Sequence, residues 1–163
     1  MGLACMPGSP PAAPPATTTP PPATTTPPST PPPTTTDTFA QARERCVQKT
    51  NSYRATKGVA AVQRKNGRES CADGQAQADA LASQPHGRFG KCGENAQNEC
   101  PGWKGTPEST VDSCLQAMFD EGPGAGAAHG HYNNMMDPKY TSVACGFYVT
   151  SDGSIWLVQD FFR

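Results

Sequence analysis

The chain has 163 residues, with 13 Lys and Arg against 14 Asp and Glu, and a net charge of −1. So even a balance does not indicate the strongly basic face that a nucleic-acid backbone requires, and we expect no nucleic-acid partner. No apolar run approaches the roughly twenty residues of a membrane-spanning helix, so we expect no transmembrane segment.

Residues 1–36 carry 13 of the 18 prolines, ten threonines and no charged side chain. Such a stretch cannot bury enough apolar surface to offset the entropy of ordering it, and we expect a disordered Pro/Thr-rich stalk. Proline runs favour polyproline II, at about 3.1 Å per residue, so the stalk would act as a spacer from an anchor or as an inert tail. Thr beside Pro also suits O-glycosylation. "MGLACMPG" lacks the apolar core of a signal peptide. Its "LAC" is similar to the end of a bacterial lipobox, in which Cys5 would carry lipid; the alternative is that Cys5 is incidental.

Residues 37–163 hold every charged and aromatic side chain, which is the size of one domain. From Asp37 to about Gly58, Phe39, Ala42, Cys46, Thr50 and Tyr53 recur every three or four residues and predict a helix. A second helix, rich in alanine, is expected from about Ser70 to Ser83, with Cys71, Ala78, Leu81 and Ala82 inward and close packing on a sheet. A third opens with Thr106 as cap and Pro107 in its first turn. It presents Val111, Cys114, Leu115, Met118 and Phe119 before ending at Gly122. The period then falls to two. Val143, Cys145, Phe147 and Val149 alternate in one strand, Ile155, Leu157, Gln159 and Phe161 in the next, and Ser151 to Gly153 turn between them. Helices followed by antiparallel strands give an α+β class.

Six cysteines fall in this domain: Cys46, Cys71, Cys92, Cys100, Cys114 and Cys145. An even number in a small domain predicts three disulfides and an oxidising compartment, and the spacings fit no C-x-x-C metal pattern. We expect Cys92 with Cys100, Cys114 with Cys145 and Cys46 with Cys71, although spacing alone leaves other arrangements open.

Five fragments stand in order: "TNSYRATKGVAAV" (50–62), "HGRFGKCGENAQ" (86–97), "MFDEGPG" (118–124), "HGHYNNMM" (129–136) and "VACGFYV…WLVQDFF" (143–162). Together they resemble the CAP superfamily of cysteine-rich secretory proteins, venom antigen five, plant pathogenesis-related proteins and bacterial relatives, over roughly residues 44–162. The resemblance implies an α-β-α sandwich, a central antiparallel sheet between helix layers, and a cleft lined by two His and two Glu. By position these are His86, Glu94 of "GEN", Glu121 and His131 of "GHY". Asn95 and Tyr132 complete the two motifs, and Asn51 and Arg54 match an N-x-x-R element. Thr50, Ala96 and Met118 depart from the residues common at those places, which bears on partner specificity more than on the cleft.

Imidazole nitrogen and carboxylate oxygen suit a borderline divalent ion such as zinc, with water in an open position. A plain alternative is that the His and Glu side chains bond one another and tie two loops together without metal. If residues 129–131 are extended, His129 would join His86 and His131 in a three-His site. The expected function is a secreted or envelope-tethered CAP protein, monomeric, whose cleft binds a divalent ion and a lipid, sterol or cell-envelope ligand. The alternative is a metal-dependent hydrolase with Glu94 or Glu121 as general base. H-E-x-x-H, G-x-S-x-G and a phosphate loop are all missing from the sequence.

Overall fold

The structure, a computed structural model, describes residues 37–163. The expected stalk and Cys5 lie outside the described residues. In chain order the elements are α1 (Ala40–Thr56), β1 (Gln63–Arg64), α2 (Asn66–Ala82), β2 (Ala96–Trp103), α3 (Pro107–Asp120), α4 (Gly130–Met136), β3 (Ser142–Val149) and β4 (Ile155–Phe162).

The sheet has the order β1-β3-β4-β2. β3, β4 and β2 run antiparallel to their neighbours, while the two-residue β1 adds to β3 in parallel. The β3–β4 turn forms where "SDG" predicts it: Gly153 adopts φ 77°, and Asp152 accepts hydrogen bonds from Thr150 and Ser154. On one face Val143, Cys145, Phe147, Leu157 and Phe161 join Val111 and Leu115 of α3 and Ala42 of α1 in the main core. On the other, Trp156 and Val158 meet Ala72 and Ala76 of α2. Helices therefore cover both faces, and β4 is buried along its whole length rather than on alternate residues. This is the expected three-layer α-β-α arrangement.

The third helix starts as its sequence dictates. Thr106 and Ser109 exchange side-chain-to-backbone bonds in a capping box with Pro107 in the first turn. Gly122 leaves that helix with φ 66°.

Three expectations need correction, and one strand is additional. The inward face of α2 is Glu69, Ala72, Gln75, Ala76 and Asp79, not Leu81 and Ala82; Leu81 is 72% exposed. The buried polar side chains of α2 each have polar partners: Glu69 accepts from Arg64, Gln75 bonds Glu94 and Gln97, and Asp79 accepts from the Arg88 N–H. "AQNECPGW" forms a full strand, β2, whose polar letters hide it from a hydrophobic reading. Residues 127–136 are helical, a 3₁₀ turn followed by α4, so His129 and His131 are not extended. The disulfides are Cys46–Cys145, Cys71–Cys92 and Cys100–Cys114. Cys46 lies on α1 over the sheet strand that carries Cys145, and Cys71 on α2 beside the loop that ends in Cys92. The first bridge spans 99 residues, and closing so long a loop stabilises on the order of 4–5 kcal/mol through the unfolded state.

The expected close packing of α2 on the sheet has a specific cause. A Cβ at Gly146 would stand 2.2 Å from the backbone carbonyl carbon of Ala72. Gly146→Ala should therefore destabilise the domain by about 1–3 kcal/mol through overpacking, seen as a lower guanidinium midpoint with unchanged slope.

Candidate functional site

Residues Gln84 to Gly93 have no helix or strand, yet all eight N–H groups from His86 to Gly93 are satisfied in an alternating pattern. Gly87, Phe89, Lys91 and Gly93 donate to loop carbonyls three residues back, at 3.1–3.3 Å. His86, Arg88, Gly90 and Cys92 donate instead to buried carboxylates: Glu99 at 3.0 Å, Asp79 at 3.3 Å, and Glu94 at 2.5 and 2.9 Å. Gln75 of α2 adds a bond to the Arg88 carbonyl at 2.9 Å. The loop is thus seated on side chains from α2, β2 and its own last turn.

This seating presents His86. The residue adopts φ 60°, a left-handed conformation uncommon for a residue with a Cβ. Its Nδ1 faces Gln97 Oε1 at 2.9 Å. Gln97 donates through Nε2 to Gln75 Oε1 and Asp160 Oδ1, so its carbonyl oxygen must be the atom that meets the imidazole. A carbonyl oxygen only accepts, which puts the proton on His86 Nδ1 and leaves Nε2 with its lone pair.

The second imidazole arrives on α4. Glu121, at the end of α3, accepts from the backbone N–H of His131 (3.0 Å) and Tyr132 (3.2 Å), and its Oε1 lies 2.5 Å from His131 Nδ1. One carboxylate therefore satisfies donors in the first turn of α4 and orients its histidine. His131 likewise keeps Nε2 free of protein partners among the described residues. The His86 and His131 rings stand 6.5 Å apart, centroid to centroid, and 25° from parallel.

The remaining candidates take other places. Glu94 is buried and committed to Gly90, Cys92 and Gln75 Nε2; it reaches His86 only through the chain Gln75–Gln97. Asn95 donates from its backbone to Phe161 and accepts from Arg163 N through Oδ1. Tyr132 is buried, with its ring 5.5 Å from Phe119. His129 donates from Nδ1 to the Glu121 and Gly122 carbonyls at 2.8 and 3.0 Å, which caps α3. Its ring fills the space a Cβ at Gly124 would take, so the three-His arrangement does not form. Arg54 is fully buried and donates to the carbonyls of Ala60, Met135, Asp137 and Tyr140, tying α1 to the end of α4. Asn51 pairs with both backbone groups of Val62.

Sequence reading misses the tier beneath the loop: Gln75, Asp79, Gln97, Glu99 and Asp160. Asp160 is fully buried, and burial, with Glu94 and Asp79 nearby, pushes its carboxyl up to about 8. Burial and the facing Asp79 likewise raise Glu99. Glu99 Oε1 and Asp160 Oδ2 are buried without a hydrogen-bond partner among the described residues, an environment that disfavours a charged oxygen. Cys92, Glu94 and Asp160 come within 4.8 Å of one another, but the Cys92 sulfur is bonded to Cys71, so no thiolate is available to a metal there.

The pH dependence follows from the sign of these shifts. The folded domain keeps Asp160 protonated up to about pH 8, whereas the unfolded chain ionises near its ordinary value, about 4. The folded state binds more protons between the two, so its stability falls as pH rises across that window. Asp160→Asn, a neutral isostere, should give a flatter melting-temperature profile from about pH 5 to about pH 9, with the variant more stable than the parent at the alkaline end.

Comparison with solved structures agrees with the layers described above. The hookworm platelet inhibitor matches with TM-score 0.54 and 17% identity, over 76% of this chain and 70% of that one. An extracellular SCP-domain protein of Bacillus anthracis matches with TM-score 0.54 and 16% identity, over 76% of this chain and 40% of its own. An outer surface protein of Borrelia burgdorferi gives 0.55 and 12%, over 77% and 95%. No curated protein sequence matches. The family model described as the cysteine-rich secretory protein family, CAP, matches residues 47–161. The chain, with its six paired domain cysteines, its "GEN" loop and its "GHY" helix, is a member of the CAP family of cysteine-rich secretory proteins.

Proposed function

We propose that this is a secreted or envelope-tethered CAP domain whose cleft holds a divalent ion, zinc first, on His86 and His131. The observation that supports this most is the pair of imidazoles. Each has its Nδ1 engaged, by Gln97 and Glu121, and each has an Nε2 lone pair without a protein partner. Histidine ligands characteristically bond a metal with one nitrogen and a carbonyl or carboxylate with the other. With Zn–N bonds of about 2.0–2.1 Å, the two rings would draw somewhat closer around an ion.

On this reading the four family positions divide their work. His86 and His131 supply the ligand atoms, Glu121 orients His131, and Glu94 holds the loop that delivers His86. The ion would supply Lewis acidity and complete its shell with water or with a ligand from outside the chain. A cell-envelope ligand in the cleft, lipid on Cys5, a monomeric state and display on a Pro/Thr stalk complete the proposal. Binding is favoured over hydrolysis because neither Glu is free to act as a base. Glu94 accepts three hydrogen bonds in the interior, and Glu121 accepts from two backbone donors and an imidazole.

Zinc titration by calorimetry tests the assignment. His86→Ala or His131→Ala should remove the binding isotherm, Glu121→Gln should weaken affinity about 10–100-fold, and Glu94→Gln should weaken it less. Unchanged zinc affinity in both histidine variants would overturn it.

A further inference from the structure

His86, Phe89, Asn95, Gln97, Asn134 and Tyr140 line a cavity of about 350 Å³. No Asp, Glu, Lys or Arg lines it. Phe89 lines the cavity yet is 50% exposed, so part of its ring stands open to solvent. The amides are fixed by bonds that use one end of each. Asn95 spends Oδ1 on Arg163 N. Asn134 spends Nδ2 on Asn98 Oδ1 at 2.9 Å and on the Gln97 carbonyl at 3.3 Å. The Asn95 Nδ2 donor, the Asn134 Oδ1 acceptor and the Tyr140 hydroxyl then have no protein partner among the described residues.

We infer that this cavity binds a neutral saccharide, with one sugar face against Phe89 and its hydroxyl or acetamido groups on Asn95, Asn134 and Tyr140. The chemistry selects among ligand classes. A phosphate, sulfate or carboxylate would find no Lys or Arg in the lining to match its charge, and polar groups buried without partners are costly. An acyl chain would strand three preformed hydrogen-bonding groups in the same way. A pyranose has an apolar C–H face and a polar edge, and it uses both the open ring and the unpaired amides. A side-chain donor and a side-chain acceptor, one on each asparagine, also complement an acetamido group, which offers one of each. A site of this size, with a few positioned polar groups around an aromatic surface, is in the range of small-molecule pockets. The inference needs no metal: the ion would sit on imidazole nitrogens, whereas the sugar would contact the aromatic and amide lining.

The test uses the full chain, labelled with nitrogen-15, titrated with the β-1,4-linked trisaccharide of N-acetylglucosamine in the presence of a chelator. Saturable shifts of the residue 86–97 amides and of the Asn95 and Asn134 side-chain amides are expected. Phe89→Ala, an exposed position whose loss leaves the fold intact, should weaken binding about fivefold to tenfold, the loss expected of one aromatic contact, while zinc affinity is unchanged. Tyr140→Phe should weaken it as well. Absence of saturable shifts, or equal saccharide affinity in Phe89→Ala, overturns the inference. Neither result bears on zinc binding, whose failure would be read separately in the calorimetric titration.

Discussion

A row of buried carboxylates beneath an irregular loop is the constraint on which the cleft depends. Alternate N–H groups from residue 86 to residue 92 point down to Glu99, Asp79 and Glu94, and the intervening ones close turns within the loop. A strand would have paired these donors with another strand, and a helix with its own carbonyls. Here side chains do it, so the loop can take the shape the site needs. His86 is held at φ 60° between Glu99 on its N–H and Gln97 on its ring. A non-glycine residue in that region costs on the order of 1–3 kcal/mol and persists only where its surroundings over-determine it. The Cys71–Cys92 bridge fastens the far end of the same loop to α2.

That arrangement has an electrostatic consequence. Asp79, Glu94, Glu99 and Asp160 are all less than 10% exposed, and none of them pairs with a Lys or Arg side chain among the described residues. Burying several carboxylates together is tolerable only if some are neutral, and the upward displacement of Asp160 and Glu99 is the form this takes. Contrast Arg43, where Asp37 and Asp73 give a buried cation its partners in the usual way. The tier under the loop is accordingly a feature that places a side chain rather than one that maximises stability. Its counterpart on the other wall is simpler: one carboxylate, Glu121, satisfies the first N–H groups of α4 and turns His131 toward His86.

Much of the fold is legible in the sequence because it is set by local rules. Thr106 and Pro107 start a helix, alternation marks β3 and β4, and an even number of cysteines predicts full pairing. What escapes reading is polar and buried. Gln97 and Glu99 are letters of a surface strand, yet both are buried and meet the loop that carries His86. Asp79 and Gln75 look like the wet side of a helix, and they are its inner face. The alanines and Leu81 point to the wrong face of that helix, and the spacing of six cysteines does not select among their pairings. His131 is singled out by family resemblance alone, and its ring stands 6.5 Å from that of His86. Its helical setting was not readable, because "GHYNNMM" is too short and too polar to show a period. The hydrogen bonds that tie Glu94 to the residue 86–93 loop and Glu121 to α4 are encoded by no spacing.

Crystals soaked in zinc and measured at its absorption edge test the central claim most directly. The account predicts one strong anomalous peak between Nε2 of His86 and Nε2 of His131, with Gln97 and Glu121 still on the two Nδ1 atoms. A peak among Glu94, Asp160 and the Cys71–Cys92 bridge instead, or two imidazoles turned away from each other with no peak, would contradict it.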